Sequence, residues 1–187
     1  MTALTAATPA VALTSDLTQS ELFTQIAGNT SLSASFWINI ALAGLAHLLF
    51  VYMGRNVSDS RAQLIFVATM MVPLVSISSY TGLVSGLSVG MISVPYPGGG
   101  SEEVLIMWGR YLTWALSTPM ILIALGLLAG TNLTKLFTVV VMDIGMCVTG
   151  LAAALTTSSL LLRWFWYLLS CAFFVAVIYI LLVEWPT

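Results

Sequence analysis

Five long runs of apolar residues alternate with short polar connections along this chain. The runs cover residues 36–53, 64–86, 104–128, 136–155 and 164–183. A helix that crosses a bilayer core of about 30 Å needs roughly 20 predominantly apolar residues. The pattern therefore predicts an all-α membrane protein with five transmembrane helices.

The composition supports a single membrane domain and excludes nucleic acid as a partner. Hydrophobic residues make up 59% of the chain and charged residues 6%, whereas a soluble domain carries roughly 25% charged residues. A formal net charge of -2 leaves no basic surface to neutralise phosphates. We predict a polar extracellular arm over residues 1–35, with a short amphipathic turn near 17–26, and a transmembrane domain over 36–187.

The charges in the connections predict the orientation in the cell membrane. Short cytoplasmic loops accumulate Lys and Arg. Arg55, Arg61 and Lys135 lie in the first and third connections, whereas Glu102 and Glu103 lie in the second. This distribution predicts a multi-pass protein with an extracellular N-terminus.

Two ionisable residues, Arg110 and Asp143, lie inside the predicted spans. A charge at that depth costs a few kcal/mol, so it marks a functional site by default. Counted from the ends of their spans, the two residues are on the order of 10 Å apart along the bilayer normal. A direct ion pair between them is therefore not expected.

Arg110, Thr113 and Ser117 have the spacing of one helix face. All three donate hydrogen bonds and the face holds no carboxylate, which suits an anion. The alternative is that the two hydroxyls bond back to their own helix. The spacing alone favours neither interpretation.

Other residues point to a bent bundle with room for an apolar ligand. Pro73 and Pro119 lie within spans and are expected to kink them, and Trp114 lies at mid-depth, where a flat apolar ligand is plausible. His47 stands alone, so we expect it to pack between helices or face lipid and not to bind a metal. No Ser-His-Asp or Cys-His set appears, so we expect no enzymatic activity.

The segment Trp-Gly-Arg-Tyr-Leu-Thr-Trp-Ala-Leu-Ser-Thr-Pro-Met at 108–120 resembles the third helix of halorhodopsins. Residues 73–80, 143–154 and 163–167 are similar to the second, fourth and fifth helices of that family, and the resemblance covers about 33–185. It implies a seven-helix bundle around retinal, held as a protonated Schiff base on a lysine of the seventh helix. The implied activity is light-driven inward pumping of chloride or another halide, often by a homotrimer.

The resemblance also assigns site residues. The chloride-handling positions are Arg110, Thr113 and Ser117, with Ser79 as a further candidate. The retinal-lining positions, among which Asp143 lies near the ring end of the chromophore, are Trp114, Thr118, Ile121, Asp143, Met146, Gly150, Trp166, Tyr167, Ser170 and Phe174.

The same resemblance separates the possible activities. Proton pumps of the family carry carboxylates at the places of Thr113 and Ala124, and both are absent here. A sensory photoreceptor that signals to a membrane transducer is the main alternative, although sensory forms usually keep the aspartate at the place of Thr113. An outward proton pump is the second.

Two features depart from the family pattern. The only lysine, Lys135, lies in a connection, so we expect the sixth and seventh helices, with the retinal lysine, to lie outside this chain. The connection 88–103 replaces a loop that contains a histidine in relatives.

Overall fold

A computed structural model describes residues 19–95 and 100–185 of the chain. Residues 1–18 of the predicted arm lie outside the described residues. Within the described part, six α-helices and one β-hairpin follow one another along the chain. They are α1 (Gln19–Gly28), α2 (Thr30–Gly54), α3 (Ser60–Val84), β1 (Gly90–Pro95), β2 (Ser101–Ile106), α4 (Gly109–Ala129), α5 (Leu133–Leu155) and α6 (Leu160–Tyr179), which a π-helical turn (Ile180–Glu184) extends.

The five helices α2 to α6 are each long and apolar enough to cross a membrane. Each packs against the next in sequence, as expected for antiparallel neighbours, and the connections are short except at 85–108, which holds the hairpin. Large apolar side chains cover the surface of the bundle, as expected where the surrounding solvent is lipid. The predicted fold class is therefore confirmed for the described residues.

Polar residues at the connections begin and end these helices. The side chains of Asn29, Asp59 and Asn132 accept hydrogen bonds from the first turns of α2, α3 and α5, which satisfies backbone donors that a helix cannot use itself. α4 ends at Gly130 with a φ of 76°, a left-handed conformation that favours glycine. These caps explain why the helices end where the sequence turns polar.

The predicted start of the first transmembrane helix, at residue 36, was wrong, whereas the boundary between arm and membrane domain stays a prediction. Because Asn29 caps a helix that begins at Thr30, α2 extends six residues before the apolar run that predicted it. The Thr, Ser and Ala residues of this first turn are polar or small, and apolar periodicity does not detect them. The predicted turn near 17–26 corresponds in part to α1, which buries Leu22 and Ile26.

The predicted start of the third span, at residue 104, was also wrong. Val104 pairs with Ile92 in an antiparallel hairpin, and α4 begins only at Gly109. A short apolar run is equally compatible with a strand and with a helix, so periodicity alone could not separate the two. The connection that departs from the family pattern therefore contains a two-stranded sheet.

The hairpin and α1 cover one end of the bundle, which we call the hairpin end. A buried apolar cluster joins them to α2 and α3 there. Its members are Leu22, Ile26, Phe36, Leu83 and Val89. Phe36 also packs against the ring of Tyr80 with 5.8 Å between ring centroids.

At the opposite end of the bundle, which we call the Arg61 end, an arginine side chain caps the C-terminus of α4. The Arg61 side chain at the start of α3 donates from Nε and Nη2 to the carbonyl of Leu127, at 2.8 and 2.5 Å. That carbonyl belongs to the last turn of α4, where a cation also offsets the helix dipole. The contact joins α3 to α4 at this end of the bundle.

Candidate functional site

The hydroxyl groups of Thr113 and Ser79 meet between α3 and α4. Thr113 donates either to the Ser79 hydroxyl or to the carbonyl of Gly109, which lies 2.8 Å away in its own helix. Ser79 reaches the same Gly109 carbonyl at 3.5 Å. The structure thus brings together two residues that the family resemblance had assigned to chloride handling.

The bond from Thr113 back to its own helix is therefore present, as one of the two interpretations of the sequence expected. It does not exclude the other interpretation, because a hydroxyl hydrogen rotates to suit its acceptor. Ser117, one turn further along α4, is buried with 6% of its surface exposed. All three residues of the predicted face, Arg110, Thr113 and Ser117, belong to α4.

Arg110 lies in the first turn of α4 and its side chain is exposed at the hairpin end. Its guanidinium lies over the ring of Trp114, 5.7 Å from the centroid, within the range of a cation–π contact. Because α4 begins at Gly109, Arg110 is less deep in the bundle than the sequence had indicated. It lies at the hairpin end of the face that Thr113 and Ser117 continue.

Asp143 is buried in α5 with 4% of its surface exposed, and its carboxylate is hydrogen-bonded to the Thr118 hydroxyl of α4. Counted from the hairpin end of each helix, Asp143 lies about 16 Å deeper than Arg110 at 1.5 Å per residue. The expectation that the two charges do not pair directly is therefore supported. Thr118 and Asp143 instead join the middles of α4 and α5.

The contacts between α5 and α6 bring three more predicted retinal positions together. The Ser170 hydroxyl donates to the carbonyl of Met146 at 2.9 Å. A Cβ at Gly150 would lie 3.4 Å from the Ser170 oxygen and 3.6 Å from the ring of Tyr111. Met146, Gly150 and Ser170 thus form one side of a narrow space between α4, α5 and α6.

A cavity of about 570 Å³ opens at this place and Gly150, Tyr167 and Ser170 line it. Ligand sites of proteins have this size and this largely apolar, aromatic lining. These residues fit the flat apolar group that the family resemblance implies.

The remaining predicted retinal positions are more dispersed. Ile121 lines a second cavity, of about 710 Å³, together with Ala124 and residues of α2 and α3. Trp166 is half-buried, whereas Trp114 and Phe174 are exposed. The described helices therefore bring only part of the predicted pocket into one cavity.

Six residues that line the first cavity were not predicted as site residues: Tyr111, Ala153, Ala154, Leu160, Arg163 and Trp164. Tyr111 precedes Trp114 and Thr118 by three and seven residues, so the helical period that was applied to Arg110 could have found it. The Tyr111 and Trp114 rings also meet edge to face with 5.5 Å between centroids.

His47 is packed between helices, as expected. Its Nδ1 lies 3.1 Å from the carbonyl of Met70 in α3, three residues before Pro73. Among the residues the structure describes, no group of three His, Cys, Asp or Glu side chains could hold a metal ion. The histidine therefore joins α2 to α3 near the proline.

Comparison with known proteins gives the family. Residues 30–187 match the family model described as bacteriorhodopsin-like protein. The chain is 71% identical over 171 residues to the halorhodopsin of Halorubrum sodomense, an alignment that covers 91% of this chain and 61% of that protein. It is 74% identical over 153 residues to the halorhodopsin of Halobacterium halobium (strain mex), covering 78% and 74% of the two chains.

The fold comparison agrees with the sequence comparison. A solved structure described as halorhodopsin, a light-driven chloride pump, superposes with a TM-score of 0.80 at 63% identity and covers 84% of this chain and 66% of that one. The chain spans about three fifths of the length of its Halorubrum relative. It belongs to the bacteriorhodopsin-like family, on the halorhodopsin branch of the microbial rhodopsins.

Proposed function

We propose that the protein containing this chain is a light-driven inward pump for chloride or another halide, a transporter and not an enzyme. One observation carries the proposal: the Thr113 hydroxyl meets the Ser79 hydroxyl where a proton pump would hold a carboxylate. An ionised carboxylate accepts hydrogen bonds, whereas a hydroxyl can donate one to an anion. The similar solved structure described as a light-driven chloride pump supports the same assignment.

Retinal, bound as a protonated Schiff base, would supply a light-sensitive positive charge near Thr113. Met146, Gly150, Tyr167 and Ser170 would hold its flat apolar body, with the Thr118–Asp143 pair fixing the helices around it. Thr113 carries no charge of its own. A positive charge beside it therefore requires a mobile anion for neutralisation, and a halide can take that place.

Different residues make different contributions to halide binding. The exposed Arg110 guanidinium attracts an anion at the hairpin end, and the hydroxyls of Ser79, Thr113 and Ser117 replace part of its water. Lys135 lies in the first turn of α5, at the end of the bundle away from Thr113, and so cannot hold a Schiff base beside Thr113. We propose that the retinal lysine belongs to a seventh helix of the full-length protein.

We further propose that the hairpin end faces the cell exterior. The cationic side chains are at the opposite end, where Arg55 lies in the first connection and Arg61 and Lys135 lie in the first turns of α3 and α5, whereas Glu102 and Glu103 belong to β2. Inward pumping then moves the anion from Arg110 toward the Arg61 end. Assembly of the full-length protein as a homotrimer in the bilayer stays a prediction from the family resemblance.

A halide titration of the visible absorption tests the proposal. Because a halide beside the chromophore changes the charge around it, we expect the absorption band of the full-length pigment to shift when chloride replaces sulfate. The shift should saturate with chloride concentration and also occur with bromide. A spectrum that is indifferent to halide would overturn the proposal and favour the sensory photoreceptor.

A further inference from the structure

Ser88 joins the ends of α3 and α4 through its backbone. It lies between the C-terminus of α3 and β1, and its N–H donates to the carbonyl of Gly82 at 3.1 Å. Its own carbonyl accepts from the N–H of Gly109 at 3.0 Å. One residue of the connection is thus hydrogen-bonded to both helices at the hairpin end.

The Ser88 side chain lies in the narrow space beside two glycines. A Cβ at Gly82 would be 2.4 Å from the Ser88 oxygen, and a Cβ at Gly109 would be 2.4 Å from the Ser88 Cβ. Real Cβ atoms essentially never show such contacts. Among the described glycines only Gly86 and Gly130 have a positive φ, so Gly82 and Gly109 are required for space and not for backbone conformation.

Gly109 is also the residue that accepts from the hydroxyl pair of the candidate halide site. Its carbonyl lies 2.8 Å from the Thr113 hydroxyl and 3.5 Å from the Ser79 hydroxyl. Ser79 precedes Gly82 by one turn of α3. Ser88 therefore fixes the two backbone turns from which the two hydroxyls project.

We propose that Ser88 is a positioning residue of the halide site, which it holds together by setting the distance between Gly82 of α3 and Gly109 of α4. The inference rests on the proposed function. The Ser79 hydroxyl lies 3.5 Å from the Gly109 carbonyl, at the limit of a hydrogen bond, so a displacement of a few tenths of an ångström between these turns breaks this bond and changes the spacing of the Ser79 and Thr113 hydroxyls. The halide then loses a simultaneous contact with both hydroxyls.

The test is the halide titration of the full-length pigment carrying Gly109→Ala or Gly82→Ala. The added methyl group forces the two helix ends apart, and we expect the affinity for chloride to fall about tenfold, as when one hydrogen bond to an ion is lost. Gly44→Ala is the matched control. Nothing lies within 4 Å of a Cβ at Gly44 in α2, so its affinity should stay unchanged.

Second substitutions at Ser88 separate positioning from general damage. At Gly82 only the Ser88 oxygen is too close, whereas the Ser88 Cβ is at an ordinary 3.5 Å. Ser88→Ala should therefore restore the affinity of Gly82→Ala. At Gly109 the Ser88 Cβ itself is in the way, at 2.4 Å, and the Ser88 carbonyl oxygen lies at 3.3 Å, so Ser88→Gly should restore most of the affinity of Gly109→Ala and Ser88→Ala should not.

The outcomes are distinct. If the unmodified pigment responds to halide and both glycine variants keep the same chloride affinity, the role of Ser88 alone is overturned. The same holds if the glycine variants lose chloride affinity and no Ser88 substitution restores it. An unmodified pigment without a halide response would overturn the proposed function and the positioning role together. If Gly109→Ala yields no pigment, the comparison of Gly82→Ala with Gly82→Ala plus Ser88→Ala tests the role of Ser88, because only the Ser88 hydroxyl oxygen obstructs a methyl group at Gly82.

Discussion

Replacing Thr113 by aspartate in the full-length protein will weaken halide binding on the order of 100-fold, since two like charges about 5 Å apart repel by about 3 kcal/mol at an effective dielectric constant of about 20. The Thr113 hydroxyl meets Ser79 and the Gly109 carbonyl between α3 and α4, so the new carboxylate would project into the same place. It would supply the negative charge that the halide supplies in the unmodified protein. The measurement is the chloride dependence of the visible absorption band.

Thr113→Val is the matched control for this substitution. Valine keeps the shape of threonine and removes the hydroxyl without adding charge, so the halide loses one hydrogen bond, a loss of about tenfold. We therefore expect Thr113→Asp to weaken chloride binding more than Thr113→Val does. If Thr113→Asp binds chloride as tightly as the unmodified protein, the anion does not lie beside Thr113.

Replacing Arg110 by glutamine will reduce light-driven halide uptake by about 10- to 100-fold, because a hydrogen bond to a charged group is worth about 1.5–3 kcal/mol and the long-range attraction is lost with it. Arg110 is exposed at the hairpin end and lies over the Trp114 ring. Glutamine keeps a side chain of similar length that can donate hydrogen bonds. Uptake measured at rising chloride concentration shows whether the loss concerns capture of the anion, because capture is restored at high concentration.

Arg110→Lys separates charge from geometry in the same assay. Lysine keeps the positive charge but not the planar group that lies over Trp114. We expect uptake between those of the unmodified protein and Arg110→Gln. Equal uptake by Arg110→Gln and the unmodified protein would remove Arg110 from the transport path.

The sequence was sufficient for the parts of the molecule that depend on local pattern. Apolar runs of membrane-spanning length predicted the helices α2 to α6, and helical spacing predicted that Arg110, Thr113 and Ser117 share α4. The same pattern failed at residues 104–106, because an apolar run of that length forms β2 as readily as a first helical turn. It also failed at Thr30, where a cap and not hydrophobicity begins the helix.

The contacts between helices could not be predicted from a local pattern. Nothing in the spacing of Ser79 and Thr113 joins residues that lie in different helices, and only the family resemblance had grouped them. The same applies to the bond between Thr118 and Asp143. It also applies to the packing of Ser88 beside Gly82 and Gly109. These contacts depend on how α3, α4 and α5 approach one another, which requires the folded structure.

Light-driven ion movement by the full-length protein in cells or sealed vesicles tests the central claim most directly. Inward chloride pumping makes the interior negative, so protons follow passively and the medium becomes alkaline under light. We predict that a protonophore increases this alkalinisation and that replacing chloride by sulfate abolishes it. Acidification of the medium that a protonophore abolishes would show an outward proton pump, and light without any ion movement would show a photoreceptor; either result would contradict the account.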